Sequence, residues 1–400
     1  MSSLKKKIFS KENPHPNPTT DPQRRLRNLR FVEYVKSGDL SRVSKELPFI
    51  DIDFVDPDTS RSVLTLAVEA NHPEMVSTLL TRKPKLNCTN GKGNTPLMIA
   101  VELNYQKIIK LLVETHNDNC ISHSNREGKT AIDLALDVGK DKVAMYLIDK
   151  GCDTRSSLLA AIEKNDWPRI EWLAKNKADL NIVDPYRYSP LVSAFMDENL
   201  DAFSRWIALG ANVNFQGGNG RDHSHEHKTP FMLSIMYGKN SFSEKLIDAP
   251  GFDPNIQDEE GANAAFWAVR SEDSALLKKL LSLKVKMDLF KSNGASILME
   301  AIIHNNFDAM KYILEKGLVG ANSADRNNVT PLMYAIQKAS VNAVEILANY
   351  PLDLNAQTKK QKITALGLLR SKVAALPPDD AEMRARYKVI YDLLDFKKSA

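Results

Sequence analysis

A repeat of about 33 residues runs through almost the whole chain, and such a chain folds by stacking copies of one small unit. Four segments open alike: Thr95-Pro96-Leu97, Ser189-Pro190-Leu191, Thr229-Pro230-Phe231 and Thr330-Pro331-Leu332. Weaker copies of that opening begin at Ser62, Thr130, Ser156, Asn263, Ser296 and Thr364. Successive anchors are separated by 33, 35, 26, 33, 40, 34, 33, 34 and 34 residues.

Each column of the repeat has a physical reason. Every anchor is Ser, Thr or Asn, whose side chain accepts from the unpaired N–H groups at a helix start. Proline, where present, takes the first helical position, where its missing N–H costs nothing. Two residues on comes a core column that includes Leu64, Leu97, Ile132, Leu191, Phe231 and Leu332. Five residues on, eight of ten positions are alanine, which marks a close approach between helices. A second helix follows with an apolar pair such as Leu79-Leu80, Leu112-Val113 or Ile313-Leu314. An extended link then ends in Leu86-Asn87, Leu180-Asn181, Val213-Asn214 or Leu354-Asn355.

This frame resembles the ankyrin repeat, a β-turn finger followed by two helices, and the resemblance covers roughly residues 25–395. It implies an α solenoid of about eleven helical pairs with short β-turn fingers. The histidine usual after Thr-Pro-Leu is absent, replaced by Met98, Asp133, Val192, Met232, Phe266 and Met333, which predicts weaker hydrogen bonding between repeats.

Ends and irregular steps set the domain limits. Residues 1–24, with four prolines and clustered Lys, are expected to be a disordered basic tail. Phe31 to Leu47 reads as an N-terminal capping pair, and Tyr387 to Leu394 as a closing helix with a polar outer side. The 26-residue step lacks a finger, so the array is expected to divide into 25–154 and 155–395 at a soft junction. The 40-residue step enlarges one finger, at 216–227.

Charge and composition exclude several functions. The net charge is +4, but residues 1–30 hold eight Lys or Arg against Glu12 and Asp21. The rest, 46 basic against 48 acidic residues, is near neutral, so nucleic acid is not an expected partner. Lys5-Lys6-Lys7 and Arg24-Arg25-Leu26-Arg27 are read as a solvated tail in preference to a nucleic-acid or acidic-lipid site. No run of about 18 apolar residues appears, so no membrane span is expected. Cys88, Cys120 and Cys152 lie 32 residues apart, too far in a stacked array for pairing, and read as reduced thiols in the cytoplasm.

No catalytic pattern is present. Gly91-Lys92-Gly93 lacks the length and ending of a phosphate loop. His223, His225 and His227 alternate in the enlarged finger, so in an extended segment they share one face and offer a metal-ligand set. An exposed polar loop is the simpler reading, and neither metal nor cofactor is expected.

The resemblance implies a non-catalytic, monomeric, protein-binding scaffold or inhibitor that uses its concave face and fingers. The alternative is a bacterial effector or regulator with a metal-binding His-rich loop, secreted without a standard signal. In the ankyrin unit, the residue before the anchor, the finger tip, and positions four, seven and eight after the anchor face the concave side. From the fifth full unit onward those columns hold Tyr186, Tyr188, Met196, Asp197, Lys228, Tyr237, Trp267, Arg270, Tyr334 and Lys338. Tyr, Trp and Arg are over-represented among energetic hot spots, so these residues are the expected partner-binding set.

Overall fold

The computed structural model describes residues 22–115, 123–217, 227–271, 274–377 and 379–399. The chain forms two compact units that divide between Asp179 and Leu180. Among the described residues, 22 α-helices run as eleven consecutive pairs, from Pro22–Lys36 with Leu40–Glu46 to Ala365–Ala374 with Ala381–Ser399. One two-stranded ribbon, Val55–Asp56 against Arg61–Ser62, is antiparallel with Val55 opposite Ser62. The expected helical solenoid with short fingers is thus observed. The first helix begins at Pro22, inside the stretch expected to be disordered, and residues 1–21 lie outside the described residues.

The anchors start helices for the expected reason. Ser62, Thr95, Thr130, Ser189, Thr229, Asn263, Ser296, Thr330 and Thr364 each cap a helix by accepting a backbone N–H. Such a cap contributes about 1 kcal/mol. Three of the six substitutes for histidine, and Met299 in the same column, close the cap from the other side. Met98, Met232 and Met299 place Sδ 3.4, 3.5 and 3.4 Å from the backbone N of their own anchors, and an Asp133 oxygen lies 2.8 Å from Thr130 N. These bonds lie within each repeat and serve the helix start; Asp133 alone of the four also reaches the following pair, through Ser157 and Arg169.

Ser156 departs from the pattern. Its helix spans Arg155–Glu163 and starts after Thr154, which makes no side-chain cap. The core columns still hold, since Leu158 and Ala161 are buried. Where the finger is missing, side chains from the next pair fill in. Ser157 Oγ lies 2.7 Å from Thr130 Oγ1 and donates to Asp133 Oδ2 at 3.1 Å. Arg169, from the helix Trp167–Lys175, donates to Asp133 Oδ1 at 3.0 Å and pairs with Asp137.

The alanine column is buried throughout, and the first helices stack in series along each unit: 190–196 on 230–236, then 264–270, 297–303 and 331–337. Ser234 replaces alanine without an unpaired hydroxyl, because its Oγ donates to Phe231 O at 2.7 Å and meets Ser243 Oγ at 2.7 Å.

Fingers have a common construction. An Asn or Asp five residues before the anchor accepts two backbone N–H groups: Asn90 from Lys92 and Asn94, Asp184 from Tyr186 and Tyr188, Asp258 from Glu260 and Ala262. Neighbouring fingers join by backbone bonds such as Arg126 N–H to Lys92 O at 3.2 Å and Ser292 N–H to Glu260 O at 2.6 Å. That approach requires Gly93, where a Cβ would stand 2.9 Å from Arg126 N. The terminal asparagines of the links form a second ladder. Asn181, Asn214, Asn255 and Asn322 each accept from the backbone of the next unit, at 2.8–3.0 Å.

Candidate protein-binding surface

All ten expected contact residues lie in the unit beginning at Leu180. They separate into two groups. Tyr186, at a finger tip held by Asp184, is 50% exposed, and its ring centroid lies 6.5 Å from that of Tyr188. Met196 ends the helix Pro190–Met196 exposed, with Asp197 exposed beside it. Tyr237 is 43% exposed just after the helix Pro230–Met236, and its ring centroid lies 6.0 Å from that of Phe195. Met236 is exposed too, at the same register as Met196 on the adjacent helix. Sequence reading missed Met236, although the seven-residue offset that selected Met196 also selects it. Lys228 is half-buried before Thr229, and Lys338 is exposed at a helix end.

Trp267, Arg270 and Tyr334 belong to the second group and do not stand free. Position four after the anchor is a core column here, not an open one: Leu66, Ile99, Leu233 and Trp267 are all buried in it, Trp267 at 5% exposure. Trp267 Nε1 donates to Asp258 Oδ2 at 2.9 Å, and Tyr334 OH donates to Asp325 Oδ2 at 3.1 Å. Both side chains therefore tie a first helix to its own finger. Burial and the neighbouring Asp325 carboxylate push the Tyr334 hydroxyl up to about 12.

Arg270 is committed to carboxylates. Its Nε meets Glu300 Oε1 at 2.6 Å, its Nη2 meets Glu260 Oε2 at 3.6 Å, and its guanidinium lies 4.3 Å from the Trp267 ring centroid. Lys291 joins the same two acids, at 2.7 Å from Glu260 and 3.5 Å from Glu300. The Lys291 hydrogen bond holds Glu260 below the usual carboxylate range, against the opposing effect of burial. Glu300, with its side chain 3% exposed, occupies the core column that holds Trp267 and Tyr334 in neighbouring repeats. The one charged residue in a largely apolar column was the sequence signal for this network, and it went unread.

The histidine set is only partly visible. His223 and His225 lie outside the described residues. His227 Nε2 is 3.5 Å from Glu259, and its carbonyl accepts from Gln216 Nε2 at 2.6 Å. Among the described residues, no three His, Cys, Asp or Glu side chains group as a metal site. Cys88 and Cys152 are free thiols, and burial pushes Cys152 up to about 12. Cys120 lies outside the described residues, and no helix among those described is long and apolar enough to cross a membrane.

Capped helix pairs, stacked fingers and asparagine ladders agree with comparisons at the level of families. The family model for ankyrin repeats (three copies) matches residues 33–122, 64–157 and 265–358, more than half of the chain. The chain belongs to the ankyrin-repeat family. It is similar to the ankyrin repeat and KH domain-containing protein mask-1 of Caenorhabditis elegans, at 25% identity over 258 residues. That match covers 55% of this chain and 10% of mask-1. It is also similar to Rabankyrin-5 of Mus musculus, at 25% identity over 45% of this chain and 17% of the other. This ankyrin array thus corresponds to a small part of either relative. An ankyrin repeat protein of Rickettsia felis is 25% identical over 350 residues, 78% of this chain and 79% of its own. Ankyrin repeats generally mediate protein–protein interaction.

Proposed function

We propose that this ankyrin array is a non-catalytic scaffold or inhibitor that binds a protein through the fingers and first-helix ends around residues 186–237. The observation that carries this reading is the exposed set Tyr186, Met196, Met236 and Tyr237, with Tyr188 beside it, on neighbouring repeats. Aromatic side chains lose few rotamers on binding, and methionine adapts to an irregular partner. The capped helices beneath hold their backbones in place, so little ordering is left to oppose association. In the same reading the chain acts as a monomer in a reducing, cytoplasmic compartment.

Affinity capture from source cells with wild type and with Tyr186→Ala/Met196→Ala/Tyr237→Ala tests this. One captured protein should be lost, with its affinity for the purified triple variant lowered by more than about 1 kcal/mol. Melting should change by less than about 0.5 kcal/mol, because none of the three side chains is buried. A captured set identical for both proteins would sink the proposal.

A further inference from the structure

The last helix pair departs from its predecessors in a way that leaves a groove. Between the two terminal pairs, first helices run for seven to nine residues and second helices for eight to ten, whereas Ala365–Ala374 runs for ten and Ala381–Ser399 for nineteen. Helix 365–374 packs on 331–337 and helix 381–399 on 341–348, so each has one side committed to the preceding repeat. Between the two lies a cleft of about 500 Å³. Its apolar lining comes from Leu369, Val373, Ala374, Tyr387 and Tyr391. The closing helix was expected to be polar outside, yet Val389 and Tyr391 are 43% and 39% exposed.

Three cations border this cleft, Arg370 from one wall and Arg384 and Lys388 from the other, against one acid, Asp392. Arg384 donates to the carbonyls of Leu376 and Pro377 at 3.3 Å. Arg370 and Lys388 make no ion pair among the described residues, unlike Arg270, Lys291 and Arg169 in the repeats. Two unneutralised cations thus face each other across an apolar floor. The lining positions 384, 387, 388, 391 and 392 follow helical spacing over eight residues, a length of about 12 Å at 1.5 Å per residue. One face of a helical ligand, read at i, i+3 or i+4, and i+7, spans about the same distance.

We propose that this cleft docks an acidic amphipathic helix of a partner protein, its apolar face on Val373 and Tyr391 and its carboxylates toward Arg370 and Lys388. The inference is independent of the finger surface. The charge pattern selects acid over base, because a basic segment would meet two like charges and desolvate them without a partner. It also sets a direction, since Asp392 places the one anion of the cleft beyond the cations.

Random displayed peptides of about 16 residues, roughly four helical turns, panned on the full chain provide the test. Winners should be rich in Asp and Glu, with apolar residues at helical spacing. Their affinity, read by fluorescence anisotropy, should fall at least about tenfold on Arg370→Glu/Lys388→Glu. Tyr391→Ala and Val373→Ala, which keep both charges, supply a second readout and should each weaken binding several-fold. Tyr186→Ala/Tyr237→Ala should leave it unchanged, which separates this result from the fate of the finger proposal. The inference is overturned if winners show no acidic excess, if none depends on the cleft, or if charge reversal leaves their affinity intact.

Discussion

The guanidinium of Arg270 lies 4.3 Å above the ring of Trp267, while its Nε meets Glu300 at 2.6 Å. The two side chains stand three residues apart on one helix and lock together over a nearly buried carboxylate. This makes Arg270 a neutraliser of charge inside the stack and Trp267 the plate it rests on.

Changing either residue should therefore cost stability before it touches binding. Arg270→Ala leaves Glu300 with Lys291 at 3.5 Å as its remaining strong cation, and removing one partner from a buried pair costs about 3–5 kcal/mol. Lys291 should hold the loss near the lower end. Trp267→Ala removes a buried ring and leaves Asp258 Oδ2 without its donor, for about 3–5 kcal/mol. Urea unfolding followed by circular dichroism measures both. A change below about 0.5 kcal/mol in either would mean the side chain is free in solution.

His304 brings a pH dependence to the same network. Burial lowers its pKa, and although Glu300 at 3.5 Å opposes this, nearby Arg270 and Lys338 add to the lowering. The folded state thus binds the proton less readily than the unfolded chain, whose histidine titrates near about 6.5. Stability from this group is fully present above that pH and is lost as pH falls through the lower folded value. Wild type should lose more melting temperature between pH 7.5 and 5.5 than His304→Gln does. Equal losses in the two proteins would remove His304 from the account.

What could be read in advance was whatever a single residue type must do. Ser, Thr or Asn at a helix start has one geometric use, so nine of ten anchors act as caps. Ser156 failed because the short step moved its helix start to Thr154, and no local signal marks such a shift. Trp267 and Tyr334 were misplaced for another reason. Each of these aromatics, four residues after its anchor, donates to an aspartate nine residues upstream, Asp258 or Asp325, and is drawn against its own finger. That is a pair property, invisible when columns are read one at a time. Tyr186 and Met196 are exposed as expected, because a finger tip and a helix end have nothing stacked over them.

Three lysines, Lys83 at φ 51° among them, sit where other repeats use glycine. Two residues past the second helices at 141–149, 200–208 and 307–315, the backbone turns left-handed at Gly151, Gly210 and Gly317. After 167–175 and 274–282 the same place holds Lys177 at φ 65° and Lys284 at φ 56°. A residue with a Cβ pays about 1–2 kcal/mol in that region, and glycine returns about 0.5–1 kcal/mol of it as chain entropy. Lys284→Gly should thus raise stability by about 0.5–1 kcal/mol, read as a higher urea midpoint with unchanged slope. A lower midpoint would mean the lysine side chain makes a contact that outweighs its strain.

The short step between Thr130 and Ser156 was expected to be soft for want of a finger, and Arg169 argues against that. Its guanidinium reaches Asp133 at 3.0 Å, pairs with Asp137, and meets Asp166 at 3.4 Å. Asp133 is 1% exposed and also accepts from Thr130 N, Thr130 Oγ1 and Ser157 Oγ. One carboxylate thus joins the start of helix 131–137 to the two helices that follow the missing finger. Burial alone would raise the Asp137 carboxyl, but hydrogen bonds from Arg169 and Lys129 outweigh it and hold the group below its usual value. The stability Asp137 contributes is therefore present above about pH 3.8 and lost as pH falls through its lower folded value. Arg169→Met, which keeps length and removes charge, should leave Asp133 with neutral donors alone and cost about 2–4 kcal/mol. Hydrogen exchange should show the loss concentrated in 131–137 and 155–175, with the helices at 96–115 little changed. If Arg169→Met is neutral and the wild-type amides of 155–163 already exchange as fast as a loop, the junction is soft and the clamp holds nothing.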